Sequence, residues 1–495
     1  MPAESTLARA GQATLAEQLA ERYAERIRQR LLGPGTRLPS VRECASRHGV
    51  SPSTVVGAYD LLQAQGLVQA RPQRGFFVRE AGVPGAGRGA GRASATVPRN
   101  GRAAAASETP AAGPGDGEVM PPRPIDATAL IRGMFRPRRG APPAPAHGTL
   151  PESWLDGGLL QRALRRVTAG AGAEGWLSYG DPAGDLRLRR ALVQRLADIG
   201  VPATIDQIVT TVGATHALDL VARTLLQPGD AVLVDEPGWA VEYARLSRMG
   251  LRLLPVPRGP EGPDLVVLQA LAELHRPRLY VTVSVLHNPT GASLAPAHAH
   301  RLLRLAEAHD FLLVEDDTYA WLAPAHATRV AQLDALARTI YVSGFSKILV
   351  PQWRVGYVAA APALAERLID TKMLGTLTTP APLEQAVAWC LEQGALRRHA
   401  ERVTTLLAAA RARTVRLARE AGCRFAAPPE GLFGWIDVGI DSDRLAQALL
   451  DEGWLTAPGS LFHATPRPTT LMRVNFGTAQ DARFWQRLQA LREAG

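Results

Sequence analysis

Lysine is almost missing from this sequence. Of 56 basic residues, only Lys347 and Lys372 are lysines. A guanidinium stays protonated and cannot condense with a carbonyl, whereas a lysine amine can once its pKa falls from roughly 10.4. Cysteine is scarce as well. Cys44, Cys390 and Cys423 are odd in number and far apart, which excludes a disulfide framework and offers no metal-ligand spacing; no metal is expected, and a reducing cytoplasm is the simplest home. No run of 18 apolar residues occurs, so no membrane-spanning helix is expected. Residues 1–32 mix acids with bases and lack the apolar stretch of a secretion signal. What remains is an ordinary globular composition, 46% hydrophobic and 21% charged, in 495 residues. That length suits about three domains rather than one core.

The net charge of +10 is unevenly placed. Residues 1–147 hold 20 Arg against 11 Asp plus Glu, an excess of +9, and the rest is close to neutral. A basic first third points to a polyanionic partner. Within it, Leu15, Leu19, Tyr23, Ile27 and Leu31 at spacings of four predict an amphipathic helix over 13–31. GPGTRLPS breaks it. Ser40 then caps a short helix to His48, and Ser51, with Pro52 at the first position, caps a third that buries Val55, Tyr59 and Leu62. LVQARPQRGFFV reads as a hairpin with its tip at Pro72 to Gly75. This is the order of a winged helix-turn-helix. Ser51, Ser53 and Thr54 at the start of the third helix would enter the major groove of double-stranded DNA, with Arg42, Arg74 and Gly75 placed for phosphate contacts. The pieces LPSVRE, VSPSTV and GLVQARPQRGFFV resemble, in order, the DNA-binding domain of GntR-type regulators. Pro52 stands where many of them carry Arg.

Residues 81–147 dissolve into Gly, Pro, Ala and Arg without periodicity, which reads as a linker. As a flexible coil it would span about 45 Å. From 148 onward the pattern is α/β. Helical periodicities at 159–168, 184–199, 215–226, 240–249, 264–275 and 297–309 alternate with the apolar runs IVTTVG, AVLVDEP, LYVTVSVL, FLLVEDD, TIYVSGF and RVGYVAA. That alternation predicts a mainly parallel sheet covered on both faces, over about 175–375. A long helical stretch to about 421 and smaller strands then predict a second, smaller part over about 380–495.

In open α/β sheets, sites form at the carboxyl ends of strands, and each polar cluster here follows an apolar run. Gly213, Ala214 and Thr215 begin a helix whose free amides suit a phosphate. Trp239 can stack on a planar ring. Asn288 in HNPTG can bond a phenolic oxygen, and Tyr319 sits three residues after Asp316. Asp316 ends FLLVED and needs a cationic partner, which a protonated pyridine nitrogen would be. Ser346 and Arg354 flank Lys347, and a hydroxyl and guanidinium beside an amine suit a phosphate-bearing carbonyl compound. Arg473 in LMRVNFG offers a two-pronged fork for a carboxylate. A lone Ser-Lys pair is more often a surface lysine, and a lone Trp is as often core. Their order together is what carries weight.

That order resembles fold type I pyridoxal-phosphate enzymes, the family of aspartate aminotransferase, from about 150 to 478. The resemblance implies pyridoxal 5'-phosphate on Lys347, catalysis by that lysine, phosphate contacts from Gly213–Thr215, Ser346 and Arg354, and a Tyr179 that reaches the phosphate of the other subunit in a homodimer. It departs at Gly344, where Ser or Thr is common, and at His216, where a small or amide residue is usual. A GntR head on such a body resembles the MocR regulators. The layout implies a transcriptional regulator in which a small amino compound, or the cofactor itself, is sensed by the body. The rival reading is an active pyridoxal-phosphate-dependent aminotransferase with an appended DNA-binding head.

Overall fold

The structure, a computed structural model, describes residues 14–28, 32–33, 35–71, 74–79, 144–170 and 176–494. The chain divides between Pro124 and Ile125 into two compact units.

In the first unit, α1 (Leu15–Arg28), α2 (Val41–His48) and α3 (Pro52–Ala64) are followed by the antiparallel strands β1 (Val68–Arg71) and β2 (Gly75–Val78). The helix starts follow from local chemistry. Ser40 Oγ accepts the Glu43 amide at 3.3 Å and Ser51 Oγ accepts the Thr54 amide at 3.2 Å, each satisfying an amide that no helical carbonyl can reach. Gly49, in the left-handed conformation, ends α2. Leu19, Tyr23, Val55, Tyr59, Leu62, Val68 and Val78 form the core, and the Tyr59 hydroxyl donates to the Pro39 carbonyl at 2.8 Å. Leu15 and Ile27 are only half-buried, while Leu31 and the hairpin residue Pro72 lie outside the described residues.

The second unit opens with α4 (Gly157–Gly170) and α5 (Leu186–Asp198). Then come β3 (Ile208–Thr211), α6 (Gly213–Leu225), β4 (Ala231–Glu236), α7 (Ala240–Arg248), β5 (Arg252–Gly259), β6 (Gly262–Pro263) and α8 (Leu265–His275). β7 (Leu279–Thr282), α9 (Pro296–Ala308), β8 (Leu312–Asp316), α10 (Val330–Asp334), β9 (Thr339–Gly344) and β10 (Gly356–Ala359) complete the large sheet, in the order β3-β10-β9-β8-β7-β4-β5-β6. β4, β5, β7, β8 and β9 run parallel, whereas β10 is antiparallel to both β3 and β9. Apolar runs report burial and not direction, so the run RVGYVAA gives no sign of this reversal. β5 carries Pro255 and Pro257. It tolerates them because only its last two residues pair with β6, leaving most of that side free of partners.

Beyond the sheet lie α11 (Pro362–Gly375), α12 (Ala381–Glu392) and α13 (Ala395–Glu420). They lead to a four-stranded antiparallel sheet, β11 (Arg424–Phe425), β12 (Phe433–Asp437), β13 (Ala457–Pro458) and β14 (Leu471–Asn475), backed by α14 (Ser442–Asp451) and α15 (Ala482–Ala494). Ala386, Val387 and Cys390 of α12 and Leu396, Val403 and Leu407 of α13 share one core with Leu159, Leu188 and Leu192 and with Leu432, Phe433 and Phe476, and a further core gathers Leu417, Ile436, Leu445, Val474 and Phe484. Residues 144–147, linker by composition, are also built into this unit. Ala146 is fully buried, and the Asn475 amide donates to Pro145 at 3.0 Å.

Candidate functional site

Six strands of the large sheet direct their ends to one place. β4, β7, β8 and β9 do so with their carboxyl ends, followed by Trp239, Asn288, Asp316 and Lys347 respectively. β3 leads into α6, and β10, being antiparallel, has its first residue beside the same edge, just after Arg354. The reversal of β10 is therefore what brings Arg354 to the start of α6.

Gly213, Ala214 and Thr215 form the first turn of α6, with Gly213 at φ +76°. A β-carbon on Gly213 would lie 2.5 Å from Arg354 Nη2, and one on Gly356 would lie 2.5 Å from the Gly213 carbonyl carbon. Only glycine lets the guanidinium and the two backbones meet so closely. Arg354 Nη1 donates to Ser346 Oγ at 3.1 Å and Nη2 to the Val212 carbonyl at 3.1 Å. A helix start, a hydroxyl and a guanidinium thus form a cradle for an anion. Gly344 fits the same crowding, since a β-carbon there would come within 3.4 Å of the Ala214 amide nitrogen. His216 closes the turn: its Nδ1 accepts the Val212 amide at 3.0 Å and its Nε2 lies 3.1 Å from Thr376 Oγ1. Because Nδ1 is an acceptor, the ring proton sits on Nε2 and goes to the threonine.

Next to the cradle, Trp239 and Asp316 line a narrow cleft with Asp235, Glu242 and His287. Asp316 accepts the Thr318 amide at 3.0 Å and its hydroxyl. Burial still raises its carboxyl to about 6, against those bonds and with help from the Glu242 charge. Lys347 Nζ donates to the Gly148 carbonyl at 2.6 Å. Burial, then the Arg473 charge, lower its amine to about 8, opposed by Asp316. Arg473 is buried. Its Nη1 donates to Asn288 Oδ1 at 3.0 Å and its Nη2 to the Ala146 carbonyl at 2.6 Å, and Phe433 and Phe462 face its guanidinium at 4.4 and 5.1 Å. Its Nε has no partner among the described residues, and burial lowers the group to about 10. Tyr319 packs edge-on to Phe433 at 5.7 Å, and burial raises its phenol.

Lys347, Ser346, Arg354, Gly213, Ala214, Thr215, Trp239, Asn288, Asp316, Tyr319 and Arg473 therefore converge on one crevice. Tyr179 stands apart, 84% exposed. Arg42, Ser51, Ser53, Thr54, Arg74 and Gly75 belong to the first unit, where Arg42, Ser51, Ser53 and Arg74 are exposed. Ser51 Oγ is engaged with Ser53 and Thr54 hydroxyls at 2.8 Å each, and Gly75 has φ +97° beside Arg37.

Sequence reasoning passed over a buried network beneath the ring cleft. Asp235 accepts from Thr282 at 2.8 Å, from Arg258 at 3.0 Å and from the Val283 amide at 3.1 Å, as well as from Tyr280. His287 Nε2 lies 3.7 Å away. The signal was present, for an acid inside the run AVLVDEP needs a buried partner. The contacts from Ala146 and Gly148 had no such signal, because backbone carbonyls carry no residue identity.

The geometry has counterparts among known proteins. The family model "Bacterial regulatory proteins, gntR family" matches residues 15–78, and "Aminotransferase class I and II" matches 154–485. The HTH-type transcriptional regulator TauR of Rhodobacter capsulatus is 32% identical over 474 residues, spanning 93% of this chain and 92% of that protein. The chain belongs to the MocR-type regulators. The probable rhizopine catabolism regulatory protein MocR of Rhizobium meliloti is 30% identical over 401 residues, covering 79% of this chain and 74% of that one. The body has the aminotransferase fold. LysN, an alpha-aminoadipate aminotransferase of Thermus thermophilus solved with N-(5'-phosphopyridoxyl)-L-leucine, superposes with a TM-score of 0.67 at 25% identity, over 74% of this chain and 95% of that one. A MocR-type regulator thus joins a GntR-type head to an aminotransferase-like body, and the regulator reading stands above that of an enzyme with an added head. No helix among the described residues is long and apolar enough to cross a membrane.

Proposed function

We propose that this MocR-type regulator holds pyridoxal 5'-phosphate at Lys347 and senses a small amino compound there, while its heads bind double-stranded DNA. The observation that carries the reading is an amine lowered to about 8 with a carboxylate, a phenol, an amide and an unpaired arginine nitrogen gathered around it. The residues fit the cofactor. Arg354, Ser346 and the first amides of α6 would hold its phosphate, Trp239 would cover the ring, Asp316 would pair with the ring nitrogen, and Asn288 and Tyr319 would take the phenolic oxygen. When bound, the cofactor supplies an electrophilic carbonyl and an electron-withdrawing ring. The protein's own part is to keep Lys347 nucleophilic by burial, to hold a negative charge at Asp316, and to fix a carboxylate of the effector on Arg473.

Several features support a homodimer. Tyr179, Leu177 and Leu374 are 84%, 81% and 91% exposed, and the Lys372 Nζ bond to the Pro182 carbonyl at 2.6 Å draws their two segments together. Such an apolar, aromatic area suits a second copy of the chain. Paired heads would read two half-sites, α3 in the major groove with Arg42 and Arg74 on phosphates, a task for the cytoplasm.

The test is direct. Borohydride reduction of the cofactor-loaded protein should attach the cofactor mass to the peptide containing Lys347, and Lys347→Ala should lose both that label and the yellow absorbance. Retention of the absorbance in the variant would sink the cofactor assignment. A regulator should also shift its operator DNA, and rapid turnover with a keto acid and no DNA shift would favour an enzyme instead.

A further inference from the structure

Residues 144–149 lie across the crevice as a strap whose every carbonyl is taken by the body. Thr478 Oγ1 donates to Ala144 at 3.0 Å, the Asn475 amide to Pro145 at 3.0 Å, and Asn475 Nδ2 to His147 at 2.6 Å and Thr149 at 2.8 Å. The remaining two carbonyls go to the two cations of the site, Ala146 to Arg473 and Gly148 to Lys347, both at 2.6 Å. Holding down a short backbone segment does not require the two side chains with the most specialised task in the crevice.

Arg473 shows what this means. A guanidinium grips a carboxylate through a two-pronged fork, either Nε with Nη2 or Nη1 with Nη2. Both forks draw on the nitrogen that holds Ala146, and Nη1 is already engaged with Asn288. Nε, the one nitrogen of this guanidinium without a partner among the described residues, belongs to the first fork. A carboxylate is the stronger acceptor, and it also supplies the negative charge that this buried guanidinium lacks.

Resting on the reading of Arg473 as the carboxylate ligand, we propose that the Ala146 carbonyl is an internal competitor for the effector. A carboxylate binding at Arg473 displaces Ala146 and frees the strap. Residues 144–149 are also the first described residues of this unit, on the side of the sequence that leads back to the first unit. Effector affinity is then set partly by the strap's own anchors, since each one stabilises the state that the carboxylate must displace.

The experiment uses the full-length, cofactor-loaded protein and maleate, a carboxylate without an amine. Maleate should bind saturably, should not bind Arg473→Ala, and should speed amide exchange in the peptide spanning 144–149 by about tenfold or more. Thr478→Val removes the outermost anchor without touching Arg473, and should bind maleate about fivefold more tightly. A strap that serves only to brace the fold would give the same or weaker binding in that variant. If maleate binds through Arg473 while strap exchange stays unchanged and Thr478→Val binds no tighter, the competitor proposal is wrong and the site reading stands. If Arg473→Ala binds maleate as well as the parent, the site reading fails and takes the proposal with it.

Discussion

Asp316 is the residue on which pH should act most visibly. Burial raises its folded pKa to about 6 from an ordinary value near 3.8. Stability conferred by a raised pKa is fully present below the unfolded value and is lost as pH rises through 6, so the free protein carries an uncompensated carboxylate at neutral pH. In the proposed cofactor complex a protonated ring nitrogen would compensate it. Cofactor affinity is therefore expected to fall by about tenfold per pH unit below 6, once the carboxyl is neutral. A titration followed by absorbance checks this. Asp316→Asn should bind weakly and remove that step from the profile, and an unchanged profile in the variant would assign the step elsewhere. This residue was legible in the sequence, because a carboxylate ending an apolar run has few stable settings. Glu242, which adds to the shift, was not: it looks like any surface acid on α7, yet it is buried in an ion pair with Arg245.

At the scale of elements, α3 depends on its cap. Ser51 Oγ takes the Thr54 amide and also contacts two neighbouring hydroxyls, so its role in the fold precedes any contact with DNA. Ser51→Ala should lower the stability of the first unit by about 1 kcal/mol, seen as a lower unfolding midpoint. Ser53→Ala, which removes an exposed hydroxyl with no capping bond, should leave the midpoint unchanged while weakening operator binding. Equal loss of stability in both variants would refute that division. The elements themselves were largely readable, since caps, glycine stops and four-residue spacing are local. β10 and β5 were harder for separate reasons: direction leaves no mark on an apolar run, and a strand with two prolines is acceptable only when one side lacks a partner. The end of the linker was misjudged because composition describes side chains, whereas its order comes from backbone carbonyls held by Arg473, Lys347 and Asn475 some 200 to 330 positions away.

At the scale of the whole molecule, the exposed Leu374 and Tyr179 make a prediction that links assembly to DNA reading. Leu374→Asp should convert the proposed dimer to a monomer in sedimentation velocity. Binding to a paired operator should weaken about a hundredfold or more, since two linked heads gain from a shared effective concentration, while binding to one half-site stays the same. A variant that remains dimeric would place the interface elsewhere. The charge pointed the same way, with an excess of +9 in residues 1–147 and a nearly neutral remainder, but charge alone does not separate a DNA-binding head from a solvated Arg-rich tail, and the helix caps and spacing made that distinction.

The scarcity of lysine has a practical sequel once both are located. Lys372 is wholly enclosed, its amine bound to Pro182, and Lys347 sits in the crevice. Reagents that acylate amines, and aldehyde fixatives that bridge them, will find almost no side-chain target on the folded surface. Tagging of lysine side chains in this regulator thus reports on one nucleophile with little side-chain background.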